Sequence, residues 1–172
     1  MSALMRMARP AALERCELCG TPIAADHRHV LQLDTREVKC ACRPCGLLFE
    51  RADRMRLIPT DVTRVEPPDV ELPVETVFFV RVGGALTAFY PSPVGATESL
   101  LDVNVDVAFA DDVEALLVNR TRGAWIVPID VCYALVGVMR THWRGITGGA
   151  DVWRELTAFY DALDERSRAW ST

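Results

Sequence analysis

Two short segments decide how the first third of the chain folds: "CELCG" at Cys16–Gly20 and "CRPCG" at Cys42–Gly46. Each has a CxxC pair followed by glycine, and 22 residues separate Cys19 from Cys42. A CxxC turn, or knuckle, presents two thiolates to one side of a metal ion, and two knuckles complete a tetrahedral shell. The sequence therefore predicts a zinc ribbon with four ligands: Cys16, Cys19, Cys42 and Cys45.

The segment between the knuckles predicts a β-hairpin. In "RHVLQLDTREVKCA", apolar and polar residues alternate on both sides of a turn near Asp34 to Arg36. Glycine after each second cysteine tolerates a tight backbone whose amides point at sulfur. Four thiolates also hold iron, and the knuckles resemble those of rubredoxin, so iron is the alternative to zinc.

A fifth cysteine and two histidines lie between the knuckles. Cys40 and Cys42 share a strand face, so Cys40 is either a spare thiol beside the metal or a small apolar residue of the hairpin. His27 and His29 also share a face. They either form a second transition-metal site with Cys40 or are polar residues at the start of a strand.

Composition and charge narrow the class of protein. The chain has 172 residues, half of them hydrophobic, and a net charge of -5. Residues 67–172 carry 8 Lys and Arg against 15 Asp and Glu, which argues against a nucleic-acid-binding surface. No apolar run predicts a signal peptide or a membrane span. We therefore expect a cytoplasmic protein. In that reducing compartment the paired cysteines are expected to be metal ligands and not disulfides.

The remaining sequence predicts strands followed by two helices. Gly83-Gly84 marks one hairpin, and "VEALLVNR-TRG-AWIVPID" reads as another. Asp130 is the expected N-cap of a buried helix, "VCYALVGVMRTHW", and "ADVWRELTAFYDALDERSRAW" is amphipathic. "PSPVGATES", residues 91–99, reads as a loop that offers a place for a small ligand, with a plain connection as the alternative.

These elements predict an α+β protein with three parts. We expect a flexible lead at 1–14, a zinc-ribbon module at 15–66, and at 67–172 an antiparallel sheet domain with two C-terminal helices. The proline-rich "TRVEPPDVELP" is the expected linker. The sequence shows no nucleophile elbow, dinucleotide fingerprint or paired catalytic carboxylates, which favours a non-enzymatic protein.

Five segments carry a family resemblance: "RCELCG", "HRHVLQLDTREVKCACRPC", "AFYPSPVGATES", "DVEALLVNR" and "VPIDVCYALVGVMRTHWRGITGG". In them the chain resembles a bacterial domain-of-unknown-function family that is often encoded beside nickel–iron hydrogenase genes. The resemblance implies an accessory role around a hydrogenase, in maturation, assembly or electron delivery. Because a closed four-Cys site has no open coordination position, we expect the zinc ribbon to dock on a protein partner. The alternatives are a rubredoxin-like electron carrier and a protein that loads nickel through His27, His29 and Cys40.

Overall fold

The computed structural model describes residues 14–50, 53–99 and 105–168, and the chain divides into two compact units, Met1–Leu57 and Ile58–Thr172. The predicted lead at 1–14 lies outside the described residues except for Glu14. The division after residue 57 comes nine residues before the predicted boundary after residue 66. Among the described residues, no helix has the length and apolar character needed to cross a membrane.

The described part of the first unit contains a three-stranded antiparallel sheet of order β2-β1-β3 and one short helix. The predicted hairpin is confirmed, with Arg36 in the turn at a φ of +59°, and residues 55–57 add a short third strand. The elements are β1 (Arg28–Gln32), β2 (Glu37–Ala41), α1 (Arg43–Leu48) and β3 (Met55–Leu57).

The second unit is a six-stranded antiparallel sheet of order β4-β9-β8-β5-β6-β7, followed by two helices. The predicted α+β class is therefore confirmed. The strands are β4 (Thr63–Val65), β5 (Thr76–Val82), β6 (Ala85–Ser92), β7 (Gly95–Ser99), β8 (Glu114–Asn119) and β9 (Gly123–Pro128). The helices are α2 (Ile129–His142) and α3 (Gly149–Arg168).

The central strands are buried on both faces, which explains their continuous apolar runs. Val77 and Phe79 pack with Leu116 in one cluster, which the irregular segments around residues 70–74 and 105–109 cover. On the opposite face Trp125 stacks on Tyr160 of α3, with ring centroids 5.8 Å apart. The sheet is thus a layer between a helical face and a loop-covered face.

Both predicted hairpins of the second unit form. Gly83 and Gly84 have φ values of +57° and +84°, the pair of positive angles that a type I′ turn requires. The prediction of a loop at 91–99 was wrong, because β6 runs through Ser92 and Gly95 begins β7. The hydroxyl of Ser92 donates to the carbonyl of Gly95 (2.9 Å) and closes this two-residue turn.

Two further details differ from prediction. The segment expected to be a linker contains β4, which pairs with β9. Helix α2 begins at Ile129 directly after β9, so Asp130 lies in the first turn and is not the N-cap. The amide of Ile129 donates to the carbonyl of Val113 (2.9 Å), so a backbone acceptor replaces the side-chain cap.

Candidate metal centre

The first knuckle is a tight turn closed by backbone hydrogen bonds. The amide of Gly20 donates to the carbonyl of Cys16 (2.8 Å), and the amide of Cys16 donates to the carbonyl of Thr21 (2.9 Å). Gly20 has a φ of +76°, a left-handed conformation that glycine adopts without steric cost. The turn thereby places the sulfurs of Cys16 and Cys19 on one side of the backbone.

The second knuckle joins β2 to α1. Cys42 is the residue before the helix, and its carbonyl accepts a hydrogen bond from the amide of Gly46 (2.9 Å). Gly46 lies within the helix, where a Cβ would come 3.2 Å from Cδ1 of Leu57 in β3. The second glycine therefore allows close packing of the helix on β3, whereas the first allows a left-handed turn.

The two knuckles bring their four sulfur atoms together within 4.8 Å of one another: Cys16, Cys19, Cys42 and Cys45. The sulfurs of Cys19 and Cys42 are 3.6 Å apart. A disulfide would need about 2.0 Å, whereas the edge of a tetrahedron with zinc–sulfur bonds of about 2.3 Å is about 3.8 Å. The separation of Cys19 and Cys42 therefore suits two ligands of a tetrahedral metal ion and not a disulfide.

Backbone amides favour thiolates at the first knuckle. Burial disfavours the thiolate of Cys16, but the backbone amides of Cys42, Leu18 and Cys19 donate to its sulfur, and the net effect lowers its pKa to about 6. Hydrogen bonds with the side chain and backbone of Thr21 lower the pKa of Cys19. Amide-to-sulfur hydrogen bonds of this kind orient and stabilise metal-binding thiolates.

The second knuckle shows the opposite electrostatic effect. A hydrogen bond with the side chain of Cys42, together with burial, raises the pKa of Cys45 to about 12. Neighbouring sulfurs add to this effect, because negative charge on Cys16 disfavours more negative charge nearby. A divalent cation among the sulfurs would relieve this repulsion and favour the thiolate form of Cys45.

A second cluster lies on the same hairpin. One ring nitrogen each of His27 and His29 and the sulfur of Cys40 lie within 4.8 Å of one another. His29 of β1 is directly opposite Cys40 of β2 in the strand register. All three residues that the sequence singled out as alternatives are therefore brought together, and each is partly buried.

Sequence reasoning missed a cavity of about 370 Å³ in the second unit. Trp143 and Trp153 contribute to its wall, and the hydroxyls of Thr76 and Tyr160 are hydrogen-bonded to each other (2.9 Å). Its size falls in the range of pockets for small ligands, about 300–1,000 Å³. The lining residues come from three strands and two helices, so no local sequence motif indicates the cavity.

A comparison with protein-family models identifies the family of the chain. The model of a family of unknown function, DUF5947, matches residues 15–167. The chain belongs to the DUF5947 family. Comparison with the curated proteins and with the solved structures gives no significant match.

The sixth cysteine stands apart from both clusters. Cys132 lies in helix α2, and none of its surface is exposed. Burial raises the pKa of its thiol far above the ordinary value, and the nearby carboxylate of Asp130 raises it further. Cys132 is therefore a core residue with a protonated thiol, as the apolar pattern of the helix indicates.

Proposed function

We propose that this chain is a non-enzymatic accessory protein whose four-Cys site holds zinc and whose first unit docks on a protein partner. The observation that carries the proposal is the set of four sulfurs within 4.8 Å, held by two knuckles. Four protein ligands fill a tetrahedral shell and leave no position for a substrate. Zinc in such a shell shapes the surrounding surface instead of taking part in a reaction.

An apolar surface next to the site supports docking. Leu47 and Leu48 follow the last ligand in α1, and they are 59% and 76% exposed. Adjacent exposed leucines on a short helix are typical of contact residues, because their burial against a partner is favourable. The charge distribution of the chain argues against nucleic acid as that partner.

We further propose that the partner belongs to the assembly of a nickel–iron hydrogenase in the cytoplasm. This step rests on the resemblance of the motifs to a family often encoded beside hydrogenase genes. Because zinc in a closed shell is redox-inactive, the role that fits is assembly or maturation and not electron delivery. Iron in the same four sulfurs would instead make the chain a rubredoxin-like electron carrier, the second candidate function.

Metal analysis of untagged protein, purified without added metal, separates the two functions. One zinc per chain and no visible colour support the accessory role. Iron with sulfur-to-iron charge-transfer bands would contradict the accessory role and support the electron-carrier role. A Cys19→Ser variant should lose the metal, whereas Cys132→Ser, the matched control outside both clusters, should keep it.

Binding measurements then test the partner. Purified hydrogenase subunits and maturation proteins are passed over the immobilised chain, and the dissociation constants are measured. A Leu47→Asp/Leu48→Asp variant should weaken binding, whereas Val94→Asp should not, because Val94 is an exposed apolar residue (87%) in the second unit. Equal binding by both variants would contradict docking through α1, and no binding by wild type would contradict the hydrogenase link.

A further inference from the structure

The strand register places two of the three residues of the histidine cluster, and His27 lies directly before β1. His29 and Cys40 are a direct cross-strand pair of the antiparallel hairpin, so their side chains leave the same face at close range. His27 precedes His29 by two residues, and the two imidazole rings meet edge to face at a centroid distance of 4.8 Å. The convergence of two nitrogens and one sulfur thus follows from a regular element of the fold.

The hydrogen bonding of His27 leaves one ring nitrogen for a metal. Its Nδ1 lies 2.8 Å from the carbonyl of Ala24, and a carbonyl only accepts, so Nδ1 carries the proton and donates. In the neutral ring the lone pair is then on Nε2. Metal-binding histidines commonly donate their other ring N–H to a backbone carbonyl in this way, which sets tautomer and orientation.

The remaining nitrogen is buried without a partner. The side chain of His27 is only 9% exposed, and its Nε2 has no hydrogen bond to any residue that the structure describes. A buried acceptor without a donor is unfavourable, and proteins rarely retain one without a reason. A metal–nitrogen bond would satisfy this lone pair.

Two carboxylates lie next to the cluster and favour a cation. A carboxylate oxygen of Glu17 accepts a hydrogen bond from the amide of Cys40 (2.5 Å). A carboxylate oxygen of Glu14 lies 3.4 Å from Nδ1 of His27. The negative potential of these side chains raises the local concentration of divalent cations.

We propose that His27, His29 and Cys40 form a second metal site, separate from the four-Cys site, for a divalent transition cation of borderline hardness. Two imidazoles and one thiolate suit zinc, cobalt, nickel and copper(II), and not magnesium or calcium. Three protein ligands leave the fourth tetrahedral position to water or another exchangeable ligand. This open position distinguishes the proposed site from a closed four-sulfur shell.

Cobalt(II) titration of the full-length, tag-free protein tests the proposal, whatever metal the four-Cys site contains. Isothermal titration should give one cobalt per chain, and the visible spectrum should show one thiolate-to-cobalt charge-transfer band. His27→Gln and His29→Gln should each weaken cobalt binding at least about 100-fold, the upper end of the loss caused by outer-shell changes. His142→Gln, at the third histidine of the chain, should leave binding unchanged.

The resident metal is measured before and after the titration. Cobalt binding that releases an equal amount of the resident metal would show replacement at the four-Cys site and overturn the proposal. Wild-type affinity in both histidine variants would overturn it as well. If one histidine variant does not fold, Cys40→Ser serves in its place, and it should abolish the charge-transfer band while the resident metal stays bound.

Discussion

Removal of the four-Cys metal is expected to unfold the first unit and leave the second folded. Among the described residues of the first unit, 14–50 and 53–57, few apolar side chains other than cysteines are buried, and the large ones are Ile23, Val30 and Leu31. At about 1.5–3 kcal/mol each, their burial stabilises the fold by about 5–9 kcal/mol. A structural zinc contributes about 10–16 kcal/mol in peptides of similar size.

A zinc ion in the four-Cys site would therefore be the largest single source of stability in the first unit. The second unit contains no ligand of the site, and its core includes Trp125, Phe78, Phe79 and Leu116, all 0–1% exposed. Chelation should accordingly act on one unit only. The four tryptophans of the chain all follow residue 57, so tryptophan fluorescence reports on the second unit alone.

The assay is amide hydrogen exchange measured by mass spectrometry, before and after treatment with a strong chelator. Peptides that cover residues 28–41 should lose their protection, whereas peptides that cover residues 114–139 should keep it. Tryptophan fluorescence and its thermal transition should not change. Metal analysis of the treated sample confirms that the ion has left.

Retained protection of residues 28–41 in verified metal-free protein would refute the reasoning. It would mean that the apolar contacts of the hairpin alone offset the conformational entropy of the first unit. A parallel loss of protection in residues 114–139 would refute the second half of the prediction. Re-addition of zinc should restore the exchange pattern, which excludes irreversible oxidation of the cysteines as the cause.

Three further predictions concern the second unit. Gly148→Ala should lower the free energy of unfolding by about 1–3 kcal/mol, because Gly148 has a φ of +87° and a Cβ there would lie 2.8 Å from Val152. Gly137→Ala, in helix α2, should raise the free energy of unfolding by about 0.5–1 kcal/mol, because no atom lies within 4 Å of a Cβ at that position. Urea denaturation followed by tryptophan fluorescence measures both, and equal shifts would contradict the steric account. Burial raises the pKa of Tyr160 to about 12 from 10.0, so the stability that its protonated form contributes should be lost as the pH rises from about 10 through 12. A Tyr160→Phe variant should show a smaller loss over this range, and the remainder should come from Cys132, whose pKa burial also raises. Cys132 should escape alkylation in native protein and react after denaturation, as peptide mass spectrometry would show; rapid native labelling would contradict its complete burial.

The sequence predicted well those features that depend on local chemistry. The CxxCG spacing places four sulfurs in reach of one ion, and the turn at Gly83-Gly84 needs two positive φ angles that glycine supplies. Alternation around Asp34 to Arg36 was enough to predict the first hairpin, whereas the pairing of His29 with Cys40 comes from the strand register of the structure. Each of these inferences uses residues close together in the chain.

The features that the sequence did not reveal depend on distant partners. Residues 95–99 have the composition of a loop, and they form β7 because β6 supplies a complete row of hydrogen-bond partners. Helix α2 has a backbone acceptor at its start because Val113 lies beside it in the folded chain. The cavity likewise exists only once strands and helices are assembled, since its residues are spread from Val74 to Tyr160.

One strand connects the two candidate metal sites, and we expect the histidine site to depend on the four-Cys site but not the reverse. β2 carries Cys40 to the histidine cluster, and two residues later Cys42 belongs to the four-sulfur site. Loss of the four-Cys metal should release β2, separate Cys40 from His29, and abolish the second site. Loss of the second site removes no ligand from the first. In cobalt titrations, Cys19→Ser should therefore lose both sites and His29→Gln only one, and the reverse pattern would show that the histidine cluster, not the knuckles, organises the hairpin.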